Sequence, residues 1–246
     1  MIQLTTKSCI LLLLGVSVTA IGCEEDCYDG YCRRGYYYDS LVSGVAYASR
    51  NAEVPTKTGV TGVTGEDGDP GAFGYANGDS VSFSLGDTAL GEAAAGPRLT
   101  PFDLAGVMEE AVGGCAVDEP LPEDDFRIVQ NLAVLLQTFD TDGDPTAGIE
   151  ISPDVATLFD GVSIDVDQAW EAFQIDTDLL GVLEAANNQS LFPDERELRT
   201  REEALRALYQ GIGLCTDGGT GGTGGTAGSG GEGGAGGAGG AGGASS

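Results

Sequence analysis

The sequence predicts an α+β fold, in which an N-terminal small antiparallel β-sheet or sandwich piece is followed by a helical part. Residues 41–100 contain short runs with apolar residues at alternate positions, such as Val81 to Leu85, separated by glycine and aspartate clusters. Residues 101–215 have apolar residues at helical spacing, most clearly from Pro122 to Phe139. The glycine tract 216–246 has almost no apolar surface to bury, so we expect it to be disordered.

Within the β part, alternation places Val81, Phe83 and Leu85 on one face of a strand. Asn77-Gly78 is typical of a tight turn, and here it is expected between two strands. Residues 41–47 form another predicted strand of the same 41–100 region.

The helical part has several recognisable helix starts. Thr100 before Pro101 is typical of an N-cap followed by the first helical residue. The strongest predicted helix has one apolar stripe, and we expect it to be the core helix. Its stripe consists of Phe126, Val129, Leu132, Ala133, Leu136 and Phe139. Shorter helices are predicted after Ser152 and from Asp165 to Phe173, and a last one from Asp194 to Ile212.

Composition excludes several functions. The 246 residues include 39 acidic and 11 basic side chains, no histidine, and a net charge of −28. Without histidine there is no Ser-His-Asp or Cys-His pair and no histidine-bearing zinc site. The acidic balance argues against a nucleic-acid partner, because phosphate binding needs clustered basic residues. We also find no nucleophile elbow, phosphate-binding loop or dinucleotide motif, so we assign no catalytic residue.

Residues 1–22 have the form of a signal peptide. Lys7 is the only charge before the apolar run Ile10–Ile21. This run is too short to span a membrane as a helix, which requires ~20 residues. We therefore predict that the chain is exported.

The run ends in Ala20-Ile21-Gly22-Cys23, which resembles the lipobox of bacterial lipoproteins. The resemblance implies cleavage before Cys23 and acylation of that residue, including palmitate, with residues 23–40 as a tether to the membrane. Glu24, and not an aspartate, follows Cys23, which in such lipoproteins looks like an outer-membrane address. The implied location is therefore the outer membrane or cell surface. The alternative is an ordinary secretory signal, with Cys23 in a disulfide.

Four cysteines remain if Cys9 lies in the signal and Cys23 is acylated: Cys27, Cys32, Cys115 and Cys215. An even number in an exported chain indicates disulfide bonds. A local Cys27–Cys32 pair is the simplest arrangement, and Cys115–Cys215 would then close a loop of about 100 residues and contribute up to ~4.7 kcal/mol. Three connectivities are open, and a zinc site made of the four thiolates is the rival interpretation.

Three aspartates, Asp140, Asp142 and Asp144, alternate at the end of the core helix, and Glu150 follows. Alternate carboxylates in a loop are typical of calcium sites, so we predict that these four residues bind calcium. The loop is not an EF-hand, because Gly143 stands at its fourth position and an EF-hand needs glycine at the sixth. The alternative is a solvated turn that ends the helix.

The middle of the chain, roughly residues 41–175, contains a set of short motifs: Gly44-Val45-Ala46-Tyr47, Gly71-Ala72-Phe73-Gly74-Tyr75, Gly78, Val81-Ser82-Phe83, Leu90-Gly91, Thr100 to Leu104, Asn131, Leu135 to Thr138, Asp140 to Pro145 and Gly148-Ile149. Together they resemble a module of exported proteobacterial lipoproteins and large surface proteins. The resemblance implies a surface location and a fold, and it implies no activity.

Two functions remain open from the sequence. The first is a lipid-anchored, non-enzymatic envelope protein that binds or spaces an unknown surface ligand, stabilised by calcium. The second is a secreted hydrolase that uses carboxylates alone, which requires two facing acids, one of them with a raised pKa. The partners predicted are the membrane, through the lipid, and that ligand.

Overall fold

The computed structural model describes residues 33–50, 57–61, 69–109 and 123–215. The predicted signal, Cys23, the predicted disordered tract and three of the four remaining cysteines, Cys27, Cys32 and Cys115, lie outside the described residues. Within the described ranges, no helix is both long and apolar enough to cross a bilayer.

The described residues confirm the predicted α+β class, with strands β1 to β8 before the helices and β9 between α2 and α3. The strands are β1 Arg33–Tyr37, β2 Val42–Ser43, β3 Ala46–Arg50, β4 Lys57–Val60, β5 Ala72–Tyr75, β6 Ser80–Leu85, β7 Thr88–Ala94, β8 Arg98–Leu99 and β9 Ile149–Glu150. The helices are α1 Pro101–Ala105, α2 Glu123–Thr138, α3 Pro153–Thr157, α4 Trp170–Phe173, α5 Thr177–Asn188 and α6 Arg201–Gly211.

The larger sheet has four antiparallel strands in the order β4-β3-β6-β7. In β6 the side chains of Val81, Phe83 and Leu85 are buried and the serines between them are partly exposed. The alternation predicted from the sequence is therefore present. The Asn77-Gly78 turn is also present, but the strands on either side of it, β5 and β6, belong to different sheets.

The second sheet has three strands in the order β5-β1-β8. Its central strand begins at Arg33, so the folded part starts upstream of the boundary at residue 41 that the sequence predicts. The ring of Tyr37 in β1 stacks on that of Phe83 in β6, with 4.6 Å between centroids, and Phe73 meets the same ring edge-on. These aromatic contacts pack the two sheets together and make the end of the predicted tether part of the fold.

Helix α2 is the core helix, as its apolar stripe predicts. Every residue from Val129 to Asp140 is buried, so the helix is enclosed on all sides in its second half. It packs against α1, α4 and α6. The apolar stripe explains only one face of this helix, and the buried polar residues on the others have a separate role at the site described below.

Three helices differ from the sequence interpretation. Helix α4 covers only Trp170–Phe173 of the helix predicted from Asp165 to Phe173. Helix α6 begins at Arg201, later than the predicted start at Asp194, because Thr200 and Glu203 form a capping box there. Helix α5 was not predicted, and its start is fixed by Asp176, whose carboxylate accepts hydrogen bonds from the Asp178 and Leu179 amides.

The strands and helices are joined by a two-residue parallel pairing of β2 with β9, in which Val42 lies opposite Ile149. Strand β9 lies within the part predicted to be mainly helical. Gly44, just after β2, has φ +87°, and a Cβ atom there would lie 2.0 Å from the carbonyl oxygen of Ile151. Only glycine allows this close approach of the two chain segments.

Gly44→Ala is expected to lower the free energy of unfolding by about 2–4 kcal/mol, through left-handed strain and overpacking against β9. Gly78→Ala is the matched control, because Gly78 has φ +81° and no atom within 4 Å of its would-be Cβ. Gly78→Ala introduces only the left-handed strain, so it should lower the free energy of unfolding by about 1 kcal/mol. Urea unfolding measures both, and equal losses would contradict the proposed role of the β2–β9 contact.

Candidate functional site

Helix α2 ends inside the protein, and the residues at its end form the candidate site. The last carbonyl groups of a helix have no partner within the helix. Here Arg196 supplies one, since its Nη1 donates to the carbonyl oxygens of Thr138, at 3.2 Å, and Asp140, at 2.5 Å. A cation at this end also interacts favourably with the helix dipole.

Arg196 is itself held in place from two directions. Its backbone N–H and carbonyl bond the side-chain amide of Asn187, at 2.8 and 2.7 Å. Its guanidinium lies 4.4 Å from the centroid of the Phe192 ring. Gly143 has φ +76°, and a Cβ there would lie 2.7 Å from Arg196 Nη2. The aspartate loop therefore folds around a resident arginine that sequence reasoning missed.

Asp140, the first residue of the predicted calcium set, is 1% exposed. Its Oδ1 accepts a hydrogen bond from the backbone N–H of Glu150, at 2.9 Å, and its Oδ2 is buried without a hydrogen-bond partner. Burial raises the pKa of Asp140 to about 6, the Glu150 N–H opposes this, and the nearby Asp142 carboxylate adds to the increase. One buried carboxylate oxygen of this loop is thus left for a proton or a cation.

The structure separates the four predicted ligands into two groups. Asp140, Asp142 and Glu150 line one open pocket of about 190 Å³, next to β2 and β9. Asp144 is not among the residues that line it, and its Oδ1 accepts hydrogen bonds from the backbone and hydroxyl of Thr146. In the part of the chain that the structure describes, no group of three or more acidic, cysteine or histidine side chains is arranged to hold a metal ion.

A second buried acid, Asp39, lies between β1 and β2 and has no solvent exposure. The Nε2 group of Gln137 in α2 donates to both of its carboxyl oxygens, at 3.0 and 3.2 Å, and to the carbonyl oxygen of Ala204 in α6, at 2.9 Å. Burial raises the pKa of Asp39 to about 7, against the opposing effects of Gln137 and Arg199. Sequence analysis placed this residue in a tether, where a lone aspartate is expected to be solvated.

Cys215 is buried at the end of the helical part, against the core. The other three cysteines of the predicted disulfide set lie outside the described residues. The pairing of Cys27 with Cys32 and of Cys115 with Cys215 therefore stays a prediction.

Comparison of the chain with protein-family models, curated proteins and solved structures finds no match to any of them. The resemblances to the lipobox and to the surface-protein module remain predictions made from residues.

Proposed function

We propose that the protein is a lipid-anchored resident of the bacterial envelope with a non-enzymatic binding or structural role. The observation that carries this proposal is Ala20-Ile21-Gly22-Cys23 at the end of a short apolar run. The first strand among the described residues begins at Arg33, so residues 24–32 separate it from the proposed anchor at Cys23. A chain of this length spans at most about 30 Å, which would keep the domain close to the membrane surface.

The geometry of the pocket supports a role without catalysis. Its volume of about 190 Å³ is below the ~300–1,000 Å³ typical of small-molecule sites. Two of the acids that line it, Asp140 and Glu150, are joined by a hydrogen bond from the Glu150 backbone N–H to the Asp140 carboxylate, which links the end of α2 to β9. This arrangement helps to close the fold, and the pocket has room for an ion together with several waters.

We propose calcium as that ion, with the buried Asp140 Oδ2 as its first ligand. Asp142 and Glu150 line the same pocket and would have to converge on the ion when it binds, whereas Asp144 stays outside the coordination shell. Calcium takes six to eight oxygen ligands, so carbonyl groups and water would complete the set. The unpartnered, buried oxygen of Asp140 supports this proposal. A bound cation would also offset the repulsion between Asp140 and Asp142.

A carboxylate-dependent hydrolase is the second candidate. It is favoured by one observation, which is that Asp140, with a pKa raised to about 6, lies beside Asp142 in an open pocket. Hydrolysis of glycoside, ester or peptide substrates that is lost in Asp140→Asn and kept in Asp144→Asn would favour this candidate over the first.

The anchor is tested by the intact mass of the protein extracted from the membrane fraction of a producing bacterium. We expect a mature chain that starts at Cys23 and carries diacylglycerol and acyl mass. Cys23→Ser should abolish this added mass and the membrane association, whereas Cys9→Ser, inside the predicted signal, should leave both unchanged. A native protein that is unacylated and water-soluble, with Cys23 in a disulfide, would contradict the proposal.

Calcium binding is tested by thermal unfolding of the purified protein at rising calcium concentration, with magnesium as the ionic control. At a calcium concentration 100 times the Kd, stability should rise by about 2.7 kcal/mol, and each kcal/mol corresponds to roughly 2–4 °C. The increase should disappear in Asp140→Asn and Asp142→Asn. It should persist in Asp144→Asn, which removes the same charge outside the pocket. No increase at millimolar calcium excludes the calcium site.

A further inference from the structure

Asp39 joins three segments that are distant in sequence. Asp39 follows β1, and both of its carboxyl oxygens accept a hydrogen bond from the Nε2 group of Gln137. Gln137 lies 98 positions further along the chain. The same Gln137 amide nitrogen also donates to the carbonyl oxygen of Ala204, within α6. A single buried junction therefore fastens the strand that begins the fold to the core helix and to the last helix.

This junction holds an acid in surroundings that only partly favour its charge. Tyr37 faces it from β1, Asp140 from the segment after α2, and Arg199 from the segment before α6. Arg199 and the Gln137 amide favour the carboxylate, whereas burial and the Asp140 charge oppose it. The Gln137 Oε1 and the Tyr37 hydroxyl are both buried without a hydrogen-bond partner. The junction thus contains two polar atoms without a hydrogen-bond partner, and an acid that has no contact with solvent.

We propose that Asp39 makes the stability of this buried junction depend on pH. With its carboxyl group protonated, Asp39 holds the β1 end of the domain to α2 and α6. Loss of the proton at higher pH weakens the junction. The physical basis is that an ionised carboxylate without solvent costs far more to bury than a neutral carboxyl group with hydrogen-bond partners. This role of Asp39 does not require the lipid anchor. The measurements are made without calcium, because an ion at Asp140 would offset the charge that opposes ionisation of Asp39.

The direction of the pH effect follows from the two states of the acid. In the folded protein the pKa of Asp39 is about 7, above its ordinary value of 3.8. The folded state therefore binds this proton more tightly than the open state does. The stabilisation is complete below the ordinary pKa, decreases as pH rises toward 7, and is lost above it. The junction is therefore stable in acid and weakened in mildly alkaline solution.

Hydrogen exchange of the full chain provides the measurement. The probes are the amides of Tyr36, Tyr37 and Tyr38, which bond the carbonyl oxygens of Pro97, Gly71 and Leu99. The reference is the set of amides of β6 in the same sample, which cancels the general base catalysis of exchange. From pH 5.5 to 8.5, we expect the protection of the β1 probes to fall by about thirtyfold relative to β6.

Asp39→Asn keeps the size of the side chain and cannot lose a proton, so its β1-to-β6 ratio should not change with pH. Asp160→Asn, at an exposed turn after α3, is the matched control and should behave as wild type. A constant ratio in wild type, or an equal fall in Asp39→Asn, overturns the proposal.

A direct titration keeps the proposal falsifiable if Asp39→Asn does not fold. Carboxyl-carbon NMR of the wild-type protein should then show an aspartate with a midpoint near 7. Its assignment to Asp39 would come from contacts with the Gln137 side-chain amide. An Asp39 resonance that titrates in the ordinary aspartate range overturns the proposal, whatever the variant does.

Discussion

The structure depends on one constraint, which is that the core helix ends in polar groups inside the protein. Gln137, Thr138 and Asp140 are all buried at the end of α2. A buried polar group without a partner costs about 1–3 kcal/mol, and more if it is charged. The fold must therefore bring partners to this point, and most of the contacts that position the candidate site are those partners.

The partners come from both ends of the described chain. Asp39 comes from the turn after β1, the Glu150 N–H from β9, Arg196 from the segment after α5, and the Ala204 carbonyl from α6. These contacts explain why the strands and the helices form one unit, although most of the strands precede the helices along the chain. It also explains the proximity of two acids with raised pKa values, because the same burial that makes the junction specific disfavours their charges.

Patterns that repeat along the chain could be predicted from the sequence, while single residues at the junction could not. The alternation in β6 and the apolar stripe of α2 each involve several residues, so burial of one face is visible as a period. Strand β9 has only two residues and no period, and Asp39 lies in a segment that local composition assigns to a tether. The Asn77-Gly78 turn was located, but local sequence does not say that its two strands enter different sheets.

The aspartate loop shows the same limit at the site. Spacing indicated four converging carboxylates. The structure brings three of them to one pocket, whereas Asp144 accepts a hydrogen bond from Thr146. Arg196 was missed because its role is fixed by tertiary contacts with Asn187, Phe192 and the end of α2. The available signal was the scarcity of basic residues, 11 against 39 acids, which makes each arginine a candidate partner for the acidic loops.

The most direct test of this account is the unfolding free energy of Gln137→Met, measured with urea at pH 6. Methionine keeps the length of the side chain and removes the donor that serves both Asp39 and Ala204. The account predicts a loss of about 2–4 kcal/mol, because two buried acceptors lose their bonds. The same change at the exposed Gln189 should cost less than about 0.5 kcal/mol. An equally small loss at Gln137 would contradict the central role of the buried junction.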